Sequence, residues 1–152
     1  MMSRTVEENL CAPSWPRLAR LAVITSRSER QAFRRWRDEL RIRMSGGSRQ
    51  SMATLSGGNQ QKVLLARWFE RGSTVLSLVE PTRGVDVGAR QDIYRVLRQG
   101  AAQGKAVVVA TSDTEEVVQL ADRAIVFVRG QIKAELSGTD ITADRLASAV
   151  GG

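Results

Sequence analysis

The chain has 152 residues, 42% hydrophobic and 26% charged, with a formal charge of +7, no histidine and a single cysteine. This composition excludes a wholly disordered chain, and a domain of this length buries roughly 70% of its unfolded surface. No apolar run approaches the ~20 residues that span a bilayer, no secretory signal pattern opens the sequence, and Cys11 alone can form neither an internal disulfide nor a zinc site, so a cytoplasmic location is expected.

Residues 1 to about 50 read as helical material, with an arginine-rich helix over 28–42 followed by a flexible Ser-Gly-Gly-Ser stretch at Ser45–Ser48. Arg27, Arg30, Arg34, Arg35, Arg37, Arg41 and Arg43 concentrate positive charge there, interleaved with Phe33 and Trp36. Arginines beside aromatics can meet the phosphates and bases of a nucleic acid. The favoured alternative is a solvated helix face, because Phe33, Trp36 and Leu40 fall at i, i+3 and i+7 and point into a core.

Leu55-Ser56-Gly57-Gly58-Asn59-Gln60-Gln61-Lys62-Val63 follows. It puts a hydroxyl and two glycines at the start of a helix expected over 59–70. Unpaired N–H groups and the positive end of the helix dipole make such a threshold suited to anions, and glycine permits close approach of a phosphate. Ser56 can cap the helix or donate to a phosphate oxygen. Trp68 is expected in the core.

Val75–Val79 is a short apolar run of the kind found in a strand buried on both faces. Glu80 stands at its carboxyl end, where open α/β sheets place ligands and where a carboxylate can act as general base toward a water attacking a phosphate. A loop over 81–86 leads to a helix over 89–102, a strand over 106–110, a short helix over 114–120, strands over 124–128 and 131–136 joined by Arg129-Gly130, and a helix over 143–150. This alternation predicts an α/β fold with a parallel sheet. The sheet is expected to offer an unpaired apolar edge prone to aggregation, so that either a partner chain covers it or the protein is marginal.

The string at Leu55–Val63 resembles the signature motif of ATP-binding-cassette (ABC) ATPases, in the Asn-Gln-Gln-Lys wording of the second cassette of bacterial monosaccharide importers of the ribose, galactose and xylose type. The run Val75–Arg90, with Glu-Pro-Thr-Arg-Gly-Val-Asp at its centre, matches the same family in register, and Val6–Leu10 resembles the segment just after its Q-loop. The resemblance implies a partial P-loop NTPase core with a helical subdomain, split as residues 1–70 and 71–152. Glu80 then follows the Walker B aspartate position, Gly84–Asp86 looks like the D-loop, and Ser112 stands at the switch position, where this branch uses serine. Ser112 donates a hydrogen bond but does not titrate near neutral pH.

Two departures accompany the resemblance. Val79 occupies the place of the aspartate that helps hold Mg2+, and an isopropyl group offers that ion no oxygen. The phosphate loop G-x-x-x-x-G-K-[ST] is not found, so the first part of a cassette is expected to be missing. The family's activity is ATP hydrolysis coupled to monosaccharide uptake. Its implied partners are a second nucleotide-binding domain, membrane permease subunits at the inner face of the membrane and, indirectly, a sugar-binding protein. No specific nucleic acid is implied. In that family ATP is shared in trans, so Ser56, Gly57, Gly58, Asn59, Gln60 and Asp86 are the candidate nucleotide-binding residues, Glu80 and Ser112 the candidate catalytic ones, and no residue is assigned to a metal. A non-catalytic remnant or assembly partner is the competing reading, and a basic polyanion-binding module a more distant one.

Overall fold

A computed structural model describes residues 2–18 and 26–151; the part of the expected helical region at 19–25 lies outside the described residues. These residues separate into two compact units, Met1–Val108 and Val109–Gly152, with the division falling inside one strand.

In the first unit, helix α1 (Val6–Cys11) begins at a capping box. The Thr5 hydroxyl accepts from the Glu8 N–H at 3.2 Å, and Glu8 Oε2 accepts from the Thr5 N–H at 2.9 Å. Two of the orphan donors at the helix start are thereby satisfied. The same stretch pairs with residues 48–52: the Val6 N–H donates to Gln50 O and the Met52 N–H to Arg4 O. The Ser45–Ser48 turn, expected to be flexible, is held by the Gln50 side chain, whose Oε1 accepts from the N–H groups of Ser45 and Gly46.

A short helix α2 (Trp15–Leu18) follows, then the arginine helix α3 (Ser26–Glu39). Periodicity suggested a helix continuing to 42. It stops earlier because Arg41 turns left-handed (φ 49°), so that the Ile42 N–H reaches back to Arg37 O and the Arg41 N–H to Asp38 O. These are the two bonds of a Schellman close. Phe33, Trp36 and Leu40 are buried as their spacing predicts.

Helix α4 (Gly57–Arg71) starts two residues before the expected point, closes on Gly72 in the left-handed region, and packs against α1. Trp36 and Phe69 meet with ring centroids 5.5 Å apart. Strand β1 (Val75–Val79), helix α5 (Val87–Ala102) and strand β2 (Ala106–Ala110) form a β-α-β unit in which β1 and β2 make a two-stranded parallel sheet. The expectation of a strand buried on both faces fails for β1. Leu76 is buried, but Val75 and Val79 are 61% and 76% exposed, because among the described residues nothing covers the side on which they project.

The second unit begins within β2 and continues through α6 (Thr114–Leu120), β3 (Arg123–Val128), β4 (Gln131–Ser137) and α7 (Ala143–Gly151). β3 and β4 form an antiparallel hairpin rather than a further parallel pair. A two-residue connection can close only antiparallel strands, and Arg129 and Gly130, both with positive φ, supply the twist such a turn needs. Ala124, Val126, Ile141 and Leu146 form this unit's core, with Val117 and Leu136 packed against it.

Candidate functional site

Ser56 is the N-cap residue of α4, in extended conformation (φ −61°, ψ 154°), yet its hydroxyl makes no capping bond. Ser56 Oγ instead accepts from Asn59 Nδ2 at 2.8 Å, while Asn59 Oδ1 accepts from the Arg43 N–H at 2.8 Å. Asn59 thus fixes the serine oxygen from one side and leaves the hydroxyl proton to be donated elsewhere. Gln60 secures the approach to the helix, its Nε2 donating to Leu55 O at 3.0 Å and Met52 O at 3.3 Å. Ser56 and Gly57 are exposed, and beside them lies a shallow depression of about 400 Å³ lined in part by Arg43, Gln50, Thr54 and Asn59.

The two signature glycines occupy different surroundings. A Cβ on Gly57 would meet only Gly84 O, 3.9 Å away. Gly58 is buried, and a Cβ there would lie 3.1 Å from Ala89 Cβ, 3.2 Å from Asp86 Oδ2 and 3.4 Å from Val85 Cγ1. The loop Gly84–Asp86 is therefore seated directly on the first turn of α4. Asp86 is itself the N-cap of α5, its Oδ1 accepting from the Ala89 N–H at 2.9 Å. The start of α4 and the Gly84–Asp86 loop are thus neighbours within the first unit. The contacts among Asn59, Ser56 and Arg43 and between Gly58 and Asp86 were not read from the sequence, although Ser at a helix threshold with Asn three residues on was a local signal for the first.

Lys62, also within the signature string, is 4% exposed and donates to Asp92 Oδ2 of α5 at 2.7 Å. Asp92 further faces Arg41 at 3.7 Å and Arg95 at 3.8 Å. Arg67, lowered in pKa by burial, donates to Asn9 O at 3.0 Å and ties α4 to α1. Glu70 accepts from the Trp36 indole at 2.7 Å and pairs with Arg35. These groups hold α4 in place behind its exposed start.

Glu80 directly follows β1 with a left-handed backbone (φ 47°), a conformation rare for a residue with a Cβ, and the Arg83 N–H donates to its carbonyl. Trp68, expected in the core, is 41% exposed and lines a cleft of about 200 Å³ with Leu64, Val79 and Pro81. The donor set at this strand end does not fit a magnesium ion. Val79 brings only methyl groups, and among the described residues no three His, Cys, Asp or Glu side chains cluster as a metal set. Ser112 belongs to the second unit, exposed between β2 and α6; the next residue, Asp113, caps α6 by accepting from the N–H groups of Glu115 and Glu116.

No protein-family model matches the chain. It is 41% identical over 150 residues to the arabinose import ATP-binding protein AraG of Rhizobium meliloti, covering 98% of this chain and 29% of that protein. It is 38% identical over 152 residues to the ribose import ATP-binding protein RbsA 1 of Streptomyces coelicolor, covering all of this chain and 30% of that one. The chain thus spans under a third of the length of these curated relatives. Among solved structures, an ATP-binding cassette of an ABC transporter superposes with a TM-score of 0.77 at 21% identity, over 97% of this chain and 63% of that one. A dimeric cassette bound to ADP and Pi gives 0.76 at 22%, over 90% and 58%. The chain is a homologue of the ribose and arabinose import ATP-binding proteins, built on the α/β fold of an ABC cassette.

Proposed function

We propose that the chain works within the ATP-binding component of a sugar-import ABC transporter, and that its own contribution to nucleotide handling is a signature offered across an interface to ATP held by a second cassette. The observation that supports this most directly is the state of Ser56: exposed, its oxygen fixed by Asn59, its proton undirected, at the open end of a 15-residue helix. A hydroxyl and helix-start N–H groups so placed suit a terminal phosphate. Ser56 donates to a phosphate oxygen, the exposed Gly57 lets that phosphate approach the backbone, and Asn59 and Gln60 hold the geometry through their bonds to Ser56 Oγ and Leu55 O. In this reading residues 1–70 act as the helical subdomain and 71–152 as part of the nucleotide-binding core.

Glu80 and Ser112 have the chemistry of a general base and of a neutral donor to phosphate, respectively. With no phosphate loop in these 152 residues and Val79 at the magnesium position, they complete no hydrolytic site by themselves. The whole assembly would sit at the cytoplasmic face of the membrane against permease subunits, with a sugar-binding protein acting through them. ATP and Mg2+ would be held chiefly by the second cassette.

The test mixes this chain with a sugar-import cassette that has a working phosphate loop and a disabled signature. Sedimentation should show association about tenfold tighter with ATP than without, a difference of ~1.4 kcal/mol. Ser56→Arg, which fills the phosphate space, should abolish that gain and leave nucleotide-independent contact in place. Equal association with and without ATP would transfer the lead to a non-catalytic assembly role.

A further inference from the structure

We propose that Asp86 is a positioning residue for the signature: its carboxylate, locked as the cap of α5, is the seat against which the first turn of α4 is set through Gly58. This rests on the reading that the start of α4 is the nucleotide-facing surface, and it gives Asp86 a task other than touching nucleotide.

The geometry is specific. One carboxylate oxygen is committed to the Ala89 N–H at 2.9 Å, which fixes the direction of the other. That second oxygen, with Ala89 Cβ and Val85 Cγ1, lies within 3.2, 3.1 and 3.4 Å of the point where a Gly58 side chain would begin. No side chain intervenes, so the backbone of the signature turn rests on the loop itself. A Cβ at those distances would be tighter than ordinary packing allows, so only a glycine lets the turn lie this near the loop, and a close-packed interior transmits displacement rather than absorbing it. A shift of the Gly84–Asp86 loop therefore moves the Gly57–Asn59 backbone. Gly57 has no comparable neighbour, which leaves it as the face turned outward.

The prediction is a coupling between three residues in the full chain without nucleotide. In a 15N NMR spectrum, Gly58→Ala should displace the amide signals of residues 57–60 and speed hydrogen exchange at Gln60, whose N–H is bonded to Ser56 O, by about fivefold or more, with the 65–69 amides unchanged. Adding Ala89→Gly, which removes the nearest obstructing atom, should return those signals toward their original positions. Asp86→Ala should disturb the same amides, whereas Asp86→Asn, which keeps both the cap and the shape, should restore them. A purely structural cap would instead affect the amides of α5 alone. Should Asp86→Ala fail to fold, Asp86→Ser retains an acceptor for the Ala89 N–H while removing the second oxygen, and the same displacement is expected. Unmoved 57–60 signals in the folded Asp86 variants, or a Gly58→Ala perturbation that Ala89→Gly does not relieve, would overturn the proposal. Because these readouts need no nucleotide, they stand or fall separately from the ATP-dependent association that tests the functional reading.

Discussion

Arg41 ends α3 with a left-handed backbone, where α4 uses Gly72 for the same task. A Cβ in that conformation costs about 1–2 kcal/mol, and the side chain recovers little, since its ion pair with Asp92 spans 3.7 Å and the arginine is largely exposed. Arg41→Gly should therefore raise unfolding free energy by about 0.5–1 kcal/mol, allowing for glycine's greater entropy loss, as read from urea denaturation. Cys11 is fully buried, and burial, assisted by the negative charges of Glu29, Glu70 and Glu7, pushes its thiol up to about 12. The folded pKa lies above the unfolded one, so the thiol's contribution to stability is complete below the ordinary cysteine value and is lost as pH rises through the folded value. A pH series of melting temperatures should fall over that alkaline range, and Cys11→Val should flatten the fall; native protein at pH near 8 should be inert to thiol reagents.

Individual residues divide sharply in how far the sequence disclosed them. Ser56 to Lys62 and Glu80 stand out because their types and spacing are themselves chemical signals. Arg41 does not, since positive φ in a long side chain leaves no mark in the residue letters. Lys62 and Asp92 are 30 positions apart, and nothing local to either announces the pair.

At the level of elements, α5 meets α4 at Gly100. A Cβ there would fall 2.7 and 2.9 Å from Cε1 and Cζ of Phe69, whose ring in turn meets Trp36 at a tilt of 50° and is overlain by the Lys105 ammonium at 5.8 Å. Alanine is the better helix former by about 1 kcal/mol, but overpacking against an aromatic ring held on several sides costs about 1–3 kcal/mol. Gly100→Ala should accordingly lose roughly 1 kcal/mol in denaturant titration, and Gly100→Val more. The helices themselves were legible from 3.6-residue periodicity, and Phe33, Trp36 and Leu40 fell on the buried side for that reason. Ends were less so: α3 stops at Glu39 and α4 begins at Gly57, because caps and left-handed closures decide boundaries. The apolar run of β1 was misread as doubly buried since five apolar or small residues look alike whether one face or two are covered.

Across the molecule, the fold class was legible because strand and helix patterns alternate and two motifs lie in family register. What was not legible is how α4, α5 and the end of α3 are tied together. A single carboxylate, Asp92, gathers Lys62 at 2.7 Å, Arg41 at 3.7 Å and Arg95 at 3.8 Å. Lys62→Met leaves that partly buried carboxylate with only its two longer-range cations, a change expected to cost about 2–3 kcal/mol near room temperature. Heat adds a second consequence. The hydration of ions weakens as temperature rises, so keeping Lys62 and Asp92 out of water becomes less costly while their attraction persists. The stability lost in Lys62→Met should thus widen on warming, measured as a melting-temperature drop larger than the room-temperature loss alone would give. The paired replacement Lys62→Met with Asp92→Leu should match wild type in the cold and fall behind it only in the heat, which would make this one aspartate the thermostat of the signature helix.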